Sequence, residues 1–317
     1  MRRVSIPFVA LLGLCSNAAL AADPVDYTSA DRELSFVGGV GYVWLKADEV
    51  VYGPEGDRLS HLFWKTHAPV LTGSVRAEFA PRWKIMGNAV VALSASGDMK
   101  DYDWFGPYFK SYDFDDWTHR SASETSLDRY VNVDVAVGRD FDLSDAAQIN
   151  LHAGFKYANV KWTAYGGSFV YSRTGFRQDI GSYPDGLRGI SYEQRLPTLF
   201  AGAEASAKAG RLTFTGLVRG GITVGVTDTD HHWRRGLRFE EPFDAVPFLS
   251  LGGKVDYAVS EAMSLQISAG YERYFPSKGD PTVYSISSGA ELLPARKDEA
   301  GLAFQAFTLS AGLKLSF

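Results

Sequence analysis

The stretch that decides the fold is AFQAFTLSAGLKLSF, residues 303–317 at the end of the chain. Its even-numbered positions from Thr308 to Ser316 are small or polar. Its odd-numbered positions are mostly apolar: Ala303, Gln305, Phe307, Leu309, Ala311, Leu313, Leu315 and Phe317. Because successive side chains of a β-strand point to opposite faces, this alternation predicts a strand with one apolar face and one polar face.

The same alternation recurs in residues 131–138, 249–257 and 265–272. In a soluble sandwich the apolar face would meet a core and the polar face would meet water. In an outer-membrane barrel the apolar face meets lipid and the polar face fills the lumen. Alternation alone does not distinguish these two architectures.

The lengths of the connections do distinguish them. Short turns are expected near residues 80–82, 142–145, 208–210 and 260–261, and long polar connections near 46–60, 95–125, 163–190, 227–245 and 275–298. Short and long connections alternate strictly, as in bacterial barrels with short periplasmic turns and long outer loops. We therefore predict an all-β fold, a ten-stranded antiparallel transmembrane β-barrel with long extracellular loops. A large secreted β-sandwich is the alternative, and an open pore is not expected because side chains fill so narrow a lumen.

The first 21 residues are typical of a secretory signal peptide. Arg2 and Arg3 precede an apolar run from residue 6 to 14, and Ala19-Leu20-Ala21 is a small-x-small cleavage site. Residues 22–317 would then form one barrel domain. Loss of the signal removes the lone Cys15, which excludes disulfides and thiolate chemistry. It also changes the formal charge from −5 to −7, which argues against nucleic acid and favours cationic partners.

Two acidic clusters could carry chemistry, although an isolated acidic loop is more often only solvated. Asp101 and Asp103 are two residues apart, so on a strand they share a face, and one carboxyl can stay protonated beside the other. Asp230 and His232 are also two apart, and such an aspartate orients the imidazole as a general base. His231 points the other way. With the two clusters on opposite sides of the barrel mouth, we expect them to hold a water between them.

Other hydrolytic chemistries lack support in the sequence. There is no G-x-S-x-G motif, and Gly166-Gly167-Ser168 lacks the context of a nucleophile elbow. There is also no H-E-x-x-H motif and no calcium-loop spacing, so no metal is expected. A lipid A hydrolase would need a Ser-His pair on the lipid-facing wall, and none is apparent.

Residues 100–104, 166–171, 175–182 and 228–232 resemble the omptins, a family of ten-stranded outer-membrane endopeptidases. The resemblance covers nearly the whole chain after the signal and implies cleavage of cationic peptides next to basic residues, often between two of them, by an active site facing the cell exterior. It also implies activation by lipopolysaccharide as the only cofactor-like requirement. A monomer is expected. The implied site residues are Asp101, Asp103, Asp230 and His232 in catalysis, Glu49 and Asp228 in an acidic pocket for the residue before the cut, and Arg195 in lipid binding.

Three residues depart from the family pattern. His119 follows Trp117-Thr118 where an acid is common, which leaves the preference after the cut open. Tyr157 and Asn159 replace a glutamate and an arginine expected at the lipid site, which leaves the strength of lipopolysaccharide dependence open. The rival hypothesis is a non-enzymatic outer-membrane adhesin whose loops only bind partners.

Overall fold

The computed structural model describes residues 34–317, so the predicted signal peptide at 1–21 lies outside the described residues. Among the described residues, no helix is long and apolar enough to cross a membrane. The ordered elements are strands, with a single 3₁₀ turn at Phe114–Asp116. The strands are Leu34–Tyr52 (β1), Arg58–Ala80 (β2), Trp83–Ala92 (β3), Ala95–Asp103 (β4), His119–Ser144 (β5), Ala147–Tyr171 (β6), Asp179–Ala209 (β7), Leu212–Thr223 (β8), Val226–His232 (β9), Leu237–Phe243 (β10), Pro247–Ala258 (β11), Met263–Gly279 (β12), Thr282–Ser285 (β13), Glu291–Leu293 (β14) and Ala300–Ser316 (β15).

These strands form one closed antiparallel ring. Seven of them are continuous around the ring, and three further positions are each filled by two consecutive strands with a short break, namely β3 with β4, β8 with β9, and β10 with β11. The ring closes because β1 pairs with β2 on one side and with β15 on the other. The prediction of a ten-stranded antiparallel barrel is therefore confirmed. Strands β13 and β14 extend the wall beyond β10.

The outer surface carries a belt of exposed apolar side chains. The belt includes Val40, Leu71, Val75, Val135, Leu151, Leu199, Val218, Leu251, Ile267 and Leu309. Exposed aromatic side chains flank it, with Tyr42, Trp44 and Phe307 toward one end and Trp83, Phe141, Tyr257 and Phe317 at the other. An apolar band between aromatic girdles is what a barrel presents to a bilayer. The apolar face of residues 303–317 lies in this belt, as its alternation predicts.

The predicted long loops span too many residues, because the strands continue well beyond the aromatic girdle at the outer end of the barrel. Loop 95–125 contains all of β4 and the start of β5, and loop 227–245 contains most of β9 and all of β10. Outside the lipid both faces of a strand are polar, so alternation fades while backbone pairing persists. Glu49 of β1 and Asp101 of β4 both pair with Leu62 of β2, five positions beyond Trp44. The candidate site residues are therefore held on paired strands rather than on free loops.

An aromatic layer crosses the barrel interior beneath this outer part. Trp64 stacks on Trp162 and on Tyr192 with ring centroids 6.0 and 5.7 Å apart, and all three side chains are fully buried. Tyr274 and Phe304 continue the layer at 6.0 Å from each other. Below it lies a charged lumen with a cavity of about 240 Å³. In the described barrel, packed side chains fill most of the interior apart from this cavity.

The charges of this lumen are paired. Lys156 is buried, and its Nζ lies 2.7 Å from Glu272 Oε1 and also donates to Asn132. Arg219 lies 3.2 Å from Asp134, and Glu204 accepts from both Arg76 and Lys254. Buried charges need such partners because burial removes their hydration.

We predict that Lys156→Met destabilises the barrel by about 3 kcal/mol, the lower end for a broken buried ion pair, because it leaves the partly buried Glu272 without its cation. The measurement is urea unfolding of protein refolded in lipid vesicles. Lys208→Met, at an exposed lysine of the β7–β8 turn, is the matched control and should unfold as the wild type does. An unchanged urea midpoint for Lys156→Met would contradict the prediction.

Candidate active site

Two strands bring the predicted catalytic residues to the inside of the barrel mouth. On β9, Asp228 and Asp230 are buried and His232 is partly exposed, so these alternate residues face the interior. On β4, Asp101 and Asp103 share the face of the buried Met99. The two pairs therefore stand on separate walls above the aromatic layer, as the spacing of two residues predicts.

Asp230 and His232 form a close acid–imidazole pair. Nε2 of His232 lies 2.6 Å from Oδ2 of Asp230, and the imidazole packs on Phe239 with centroids 5.2 Å apart. A carboxylate in this position fixes the ring orientation and stabilises the imidazolium when the ring gains a proton. Asp230 Oδ1 is buried and has no hydrogen-bond partner. The geometry suits a general base oriented by an acid.

Asp101 and Asp103 form the second pair. Ser60 Oγ donates to Asp101 Oδ1 at 3.1 Å. Burial raises the pKa of Asp101 to about 6, although the nearby charge of His232 opposes that shift. Burial, and then the charge of Asp101, raise the pKa of Asp103 well above its usual range. Two adjacent buried carboxyls cannot both ionise freely, so the pair holds one proton between them near neutral pH.

A pocket of buried carboxyl groups lies beside the Asp–His pair. Glu49 and Asp228 are both buried. Trp64 Nε1 donates to Glu49 Oε2 at 3.0 Å, and Tyr192 donates its hydroxyl to Asp228. The aromatic layer thus forms the floor of the pocket and supplies its donors.

The pocket favours protonated acids while it is empty. Burial raises the pKa of Asp228 to about 8. Burial, and then the charges of Asp230 and Glu241, raise the pKa of Glu49. A cation entering the pocket would replace these protons and restore the ionised carboxylates.

Glu241 is a pocket residue that the sequence reasoning missed. It lies on β10 directly opposite Asp228, it is buried, and its Oε2 has no hydrogen-bond partner. Burial, and then Asp228 and Asp230, raise its pKa. The signal was present in the alternation, because Phe239, Glu241 and Phe243 share one face. It becomes informative only when the register of the β9–β10 hairpin is known.

The pocket and the Asp–His pair adjoin. Ligand atoms of Glu49, Asp230 and His232 lie within 4.8 Å of one another, a spacing that a single cation could bridge. Within residues 34–317, these three are the ones that could hold a metal, while the absence of a metal requirement stays a prediction. Their closeness also shows that β1 and β9, which are not neighbours in the ring, meet across the mouth.

Arg195 faces outward on β7, at the outer wall. Its Nη2 lies 2.8 Å from Glu193, and it is paired across the strands with Asn159. Arg129 of β5 donates to Asn159 Oδ1 at 2.9 Å and stands opposite Lys161. The cations of this wall thus surround the position where Asn159 departs from the family pattern. Tyr157 lies opposite Pro197, two pairs further along the same two strands.

His231 and His119 also have defined places. His231 packs on Trp233 with centroids 5.0 Å apart, on the face of β9 opposite His232, as predicted. His119 pairs with Asp103 across β4 and β5.

The comparisons with known proteins agree with this architecture. The model of the Omptin family matches residues 30–317. Protease 7 of Escherichia coli K12 is 27% identical over 98% of this chain and 96% of its own length. The plasminogen activator of Yersinia pestis is 24% identical over the full length of both chains. The crystal structure of the outer-membrane protease OmpT from Escherichia coli superimposes with a TM-score of 0.82 at 25% identity, covering 90% of this chain and 97% of that one.

We predict that Glu241→Gln stabilises the extracellular end of the barrel at pH 8.5. The folded-state pKa of Glu241 is raised, so its protonated form favours folding, and that contribution is lost as pH rises through the raised value. Removing the charge should slow amide hydrogen exchange in β9 and β10 by about tenfold, the equivalent of one pKa unit.

The matched control is Glu240→Gln, which removes a half-exposed carboxylate that pairs with Arg238 on the same strand. It should leave the exchange rates nearly unchanged. At pH 5 the effect of Glu241→Gln should disappear. Faster exchange in Glu241→Gln at pH 8.5 would show that the charge stabilises the fold.

Proposed function

The chain belongs to the omptin family and is an outer-membrane protease, and we propose from this premise that it is an endopeptidase for cationic peptides and proteins. We propose that it cleaves next to basic residues with a water activated between an aspartate pair and an Asp–His pair. The observation that carries this proposal is the 2.6 Å contact between His232 and Asp230 at the rim of a buried acidic pocket.

The first step is attack by water on the scissile carbonyl. His232 takes a proton from the water as general base, and Asp230 stabilises the imidazolium that forms. The oxygen of the water bonds to the carbonyl carbon, and the carbonyl oxygen becomes negatively charged. Whichever carboxyl of the aspartate pair is protonated would donate a hydrogen bond to that oxygen.

The second step is collapse of the tetrahedral intermediate. The carbon–nitrogen bond breaks, and the leaving amine takes the proton held on His232. The products are an amine and a carboxylic acid that then releases its proton to solvent, and no covalent bond between enzyme and substrate forms at any stage. This is an aspartyl-type hydrolysis without a covalent intermediate.

The acidic pocket would select the residue before the cut. Glu49, Asp228 and Glu241 can together accept several hydrogen bonds from a guanidinium or ammonium, and charge-assisted bonds of this kind are strong when buried. Trp64 and Tyr192 below them offer aromatic surface to the aliphatic part and to the cationic end of a substrate arginine or lysine. The pocket supports arginine or lysine before the cut. The dibasic preference stays a prediction drawn from the resemblance.

Lipopolysaccharide is the proposed activating lipid, and the outer wall around Arg195 is its proposed site. Arg195, Arg129 and Lys161 are close to one another on the outer face, beyond the apolar belt. The guanidinium of arginine can form bidentate hydrogen bonds with a phosphate, which suits the phosphates of lipid A. We propose that Arg129 and Lys161 supply the positive charge that Asn159 lacks. The monomeric state stays a prediction.

We predict that His232→Ala lowers kcat by roughly 10²–10⁴-fold while the barrel stays folded, because that is the contribution of a general base. The assay is cleavage of a quenched peptide containing an Arg-Arg bond, with protein refolded in the presence of lipopolysaccharide. His231→Ala is the matched control, because that imidazole stands next in sequence on the outward face.

The two histidine variants also test the adhesin hypothesis. If the wild-type protein itself fails to cleave basic peptides with and without the glycolipid, the chain binds rather than cuts. Near-normal turnover by His232→Ala, or an equal loss in His231→Ala, would reject the proposed base.

We predict that Arg195→Ala raises the lipopolysaccharide concentration needed for half-maximal activity by about tenfold, since one charge-assisted contact is worth roughly 1.5–3 kcal/mol. At saturating glycolipid the activity should return. Arg139→Ala, at an arginine beside Trp83 near the opposite end of the barrel, is the control. An unchanged glycolipid requirement in Arg195→Ala would contradict the proposed lipid site.

A further inference from the structure

The wall beside the aspartate pair is aromatic, in contrast to the acidic pocket. His119 is paired with Asp103, and Phe169 lies in the same row as Asp101, with Ser121 between them. We define the aromatic wall as Phe105, His119, Phe169, Tyr171 and Tyr183.

These rings contact one another in a continuous series. The imidazole of His119 stacks on Phe105 with centroids 4.9 Å apart and meets Tyr171 at 5.0 Å. Phe169 stacks on Tyr171 at 4.7 Å and meets Tyr183 at 5.0 Å. A Cβ placed on Gly181 would come within 2.6 Å of the Phe169 ring, so the lack of a side chain there leaves room for that ring.

Three polar atoms of this wall are already hydrogen-bonded within the protein. His119 Nδ1 is bonded to Thr118 Oγ1 at 3.0 Å, and the hydroxyls of Tyr171 and Tyr183 are bonded to each other at 2.9 Å. Burial, and then the charge of Arg173, lower the pKa of His119, so its ring is neutral at pH 7.

The charged groups around the wall do not favour a cation. Asp179 accepts hydrogen bonds from the backbone of Arg173 at 2.7 Å and of Thr174 at 2.9 Å, so its carboxylate is engaged within its own loop. The guanidinium of Arg173 lies over the Tyr171 ring at 4.8 Å and would repel a second positive charge. A basic side chain would meet a resident cation here, and the carboxyl groups nearest the wall, Asp101 and Asp103, already belong to the aspartate pair.

The position of the wall determines which substrate residue it meets. The acidic pocket is built on β1, β9 and β10, whereas the aromatic wall lies on β5, β6, β7 and the connection after β4. The aspartate pair stands between them. A peptide with its basic residue in the pocket and its scissile bond at the aspartate pair places the following side chain against the aromatic wall.

We propose that the aromatic wall is the subsite for the residue after the cut and that it takes an aromatic or large aliphatic side chain. The preferred bond is then a basic residue followed by an apolar one, rather than a basic pair. This inference rests on the proposed function, because the pocket must first hold the basic residue. Stacking on the wall is available to a flat apolar side chain and is not opposed by Arg173.

The test uses three quenched peptides that share an arginine before the cut and carry phenylalanine, arginine or glutamate after it. With lipopolysaccharide present, kcat/KM should be at least about tenfold higher for the phenylalanine peptide than for the arginine peptide, the smaller end of what a fitted apolar pocket gives. His119→Asp should shift this ratio toward the arginine peptide by about tenfold or more. His119→Phe keeps the wall apolar and should preserve the wild-type order.

Ser168→Asp is the matched control, because it adds one carboxylate at an exposed position of β6 and should leave the ratio unchanged. The inference is overturned if wild-type protein cleaves the arginine or glutamate peptide as well as the phenylalanine peptide. It is also overturned if His119→Asp slows all three peptides equally. If none of the three peptides is cut after its arginine, the proposed function is rejected, and this inference with it.

Discussion

The extracellular half of this barrel depends on holding several buried carboxyl groups close together against their mutual repulsion. Glu49, Asp228 and Glu241 come from three different strands, and Asp101 and Asp103 from a fourth. No single segment could keep them in place. If its strand were unpaired, each carboxyl group would move out of the pocket and be solvated by water. The closed ring prevents this, since the strands that carry these acids are paired on both sides well beyond the apolar belt. Rigidity from closure is therefore what makes a concentrated acidic site possible.

The same barrel treats charge in two opposite ways above and below its aromatic layer. In the lumen, Glu204 has both Arg76 and Lys254, and Asp134 has Arg219, so burial is compensated. In the pocket above, each acid has at most a neutral donor within the protein. The charges of the lumen are neutralised by ion pairs within the protein. The acids of the pocket have no such counter-charge, and only a bound proton or a bound cation neutralises them. Trp64 and Tyr192 belong to both parts, because they seal the lumen and donate to the pocket.

Local pattern was enough to predict the barrel and the faces of the candidate residues. The alternation of residues 303–317 gave the apolar outer face, and the spacing of two in Asp230 and His232 put both on one side of a strand. It was not enough to predict that Glu49 would stand beside Asp230, because the two strands are distant in sequence and meet only across the closed ring. Glu241 was missed for a related reason, since its partner is set by the length of a hairpin. The extent of the strands was underestimated because polar sequence outside the lipid resembles a loop.

Strand β7 offers a physical route from the lipid-facing wall to the site. Tyr192 and Glu193 are adjacent on it and point to opposite faces, the first to Asp228 in the pocket and the second to Arg195 and Arg129 on the outer wall. These two residues are paired with Asp230 and Thr229 of β9. An anionic headgroup that engages the outer arginines would compete with Glu193 for them and fix this part of β7 at the same time. β7 carries the hydroxyl that donates to Asp228, and it is paired with Asp230, the residue that orients His232. Ordering of the outer face of β7 would therefore also order the proposed general base His232, without any contact between lipid and substrate.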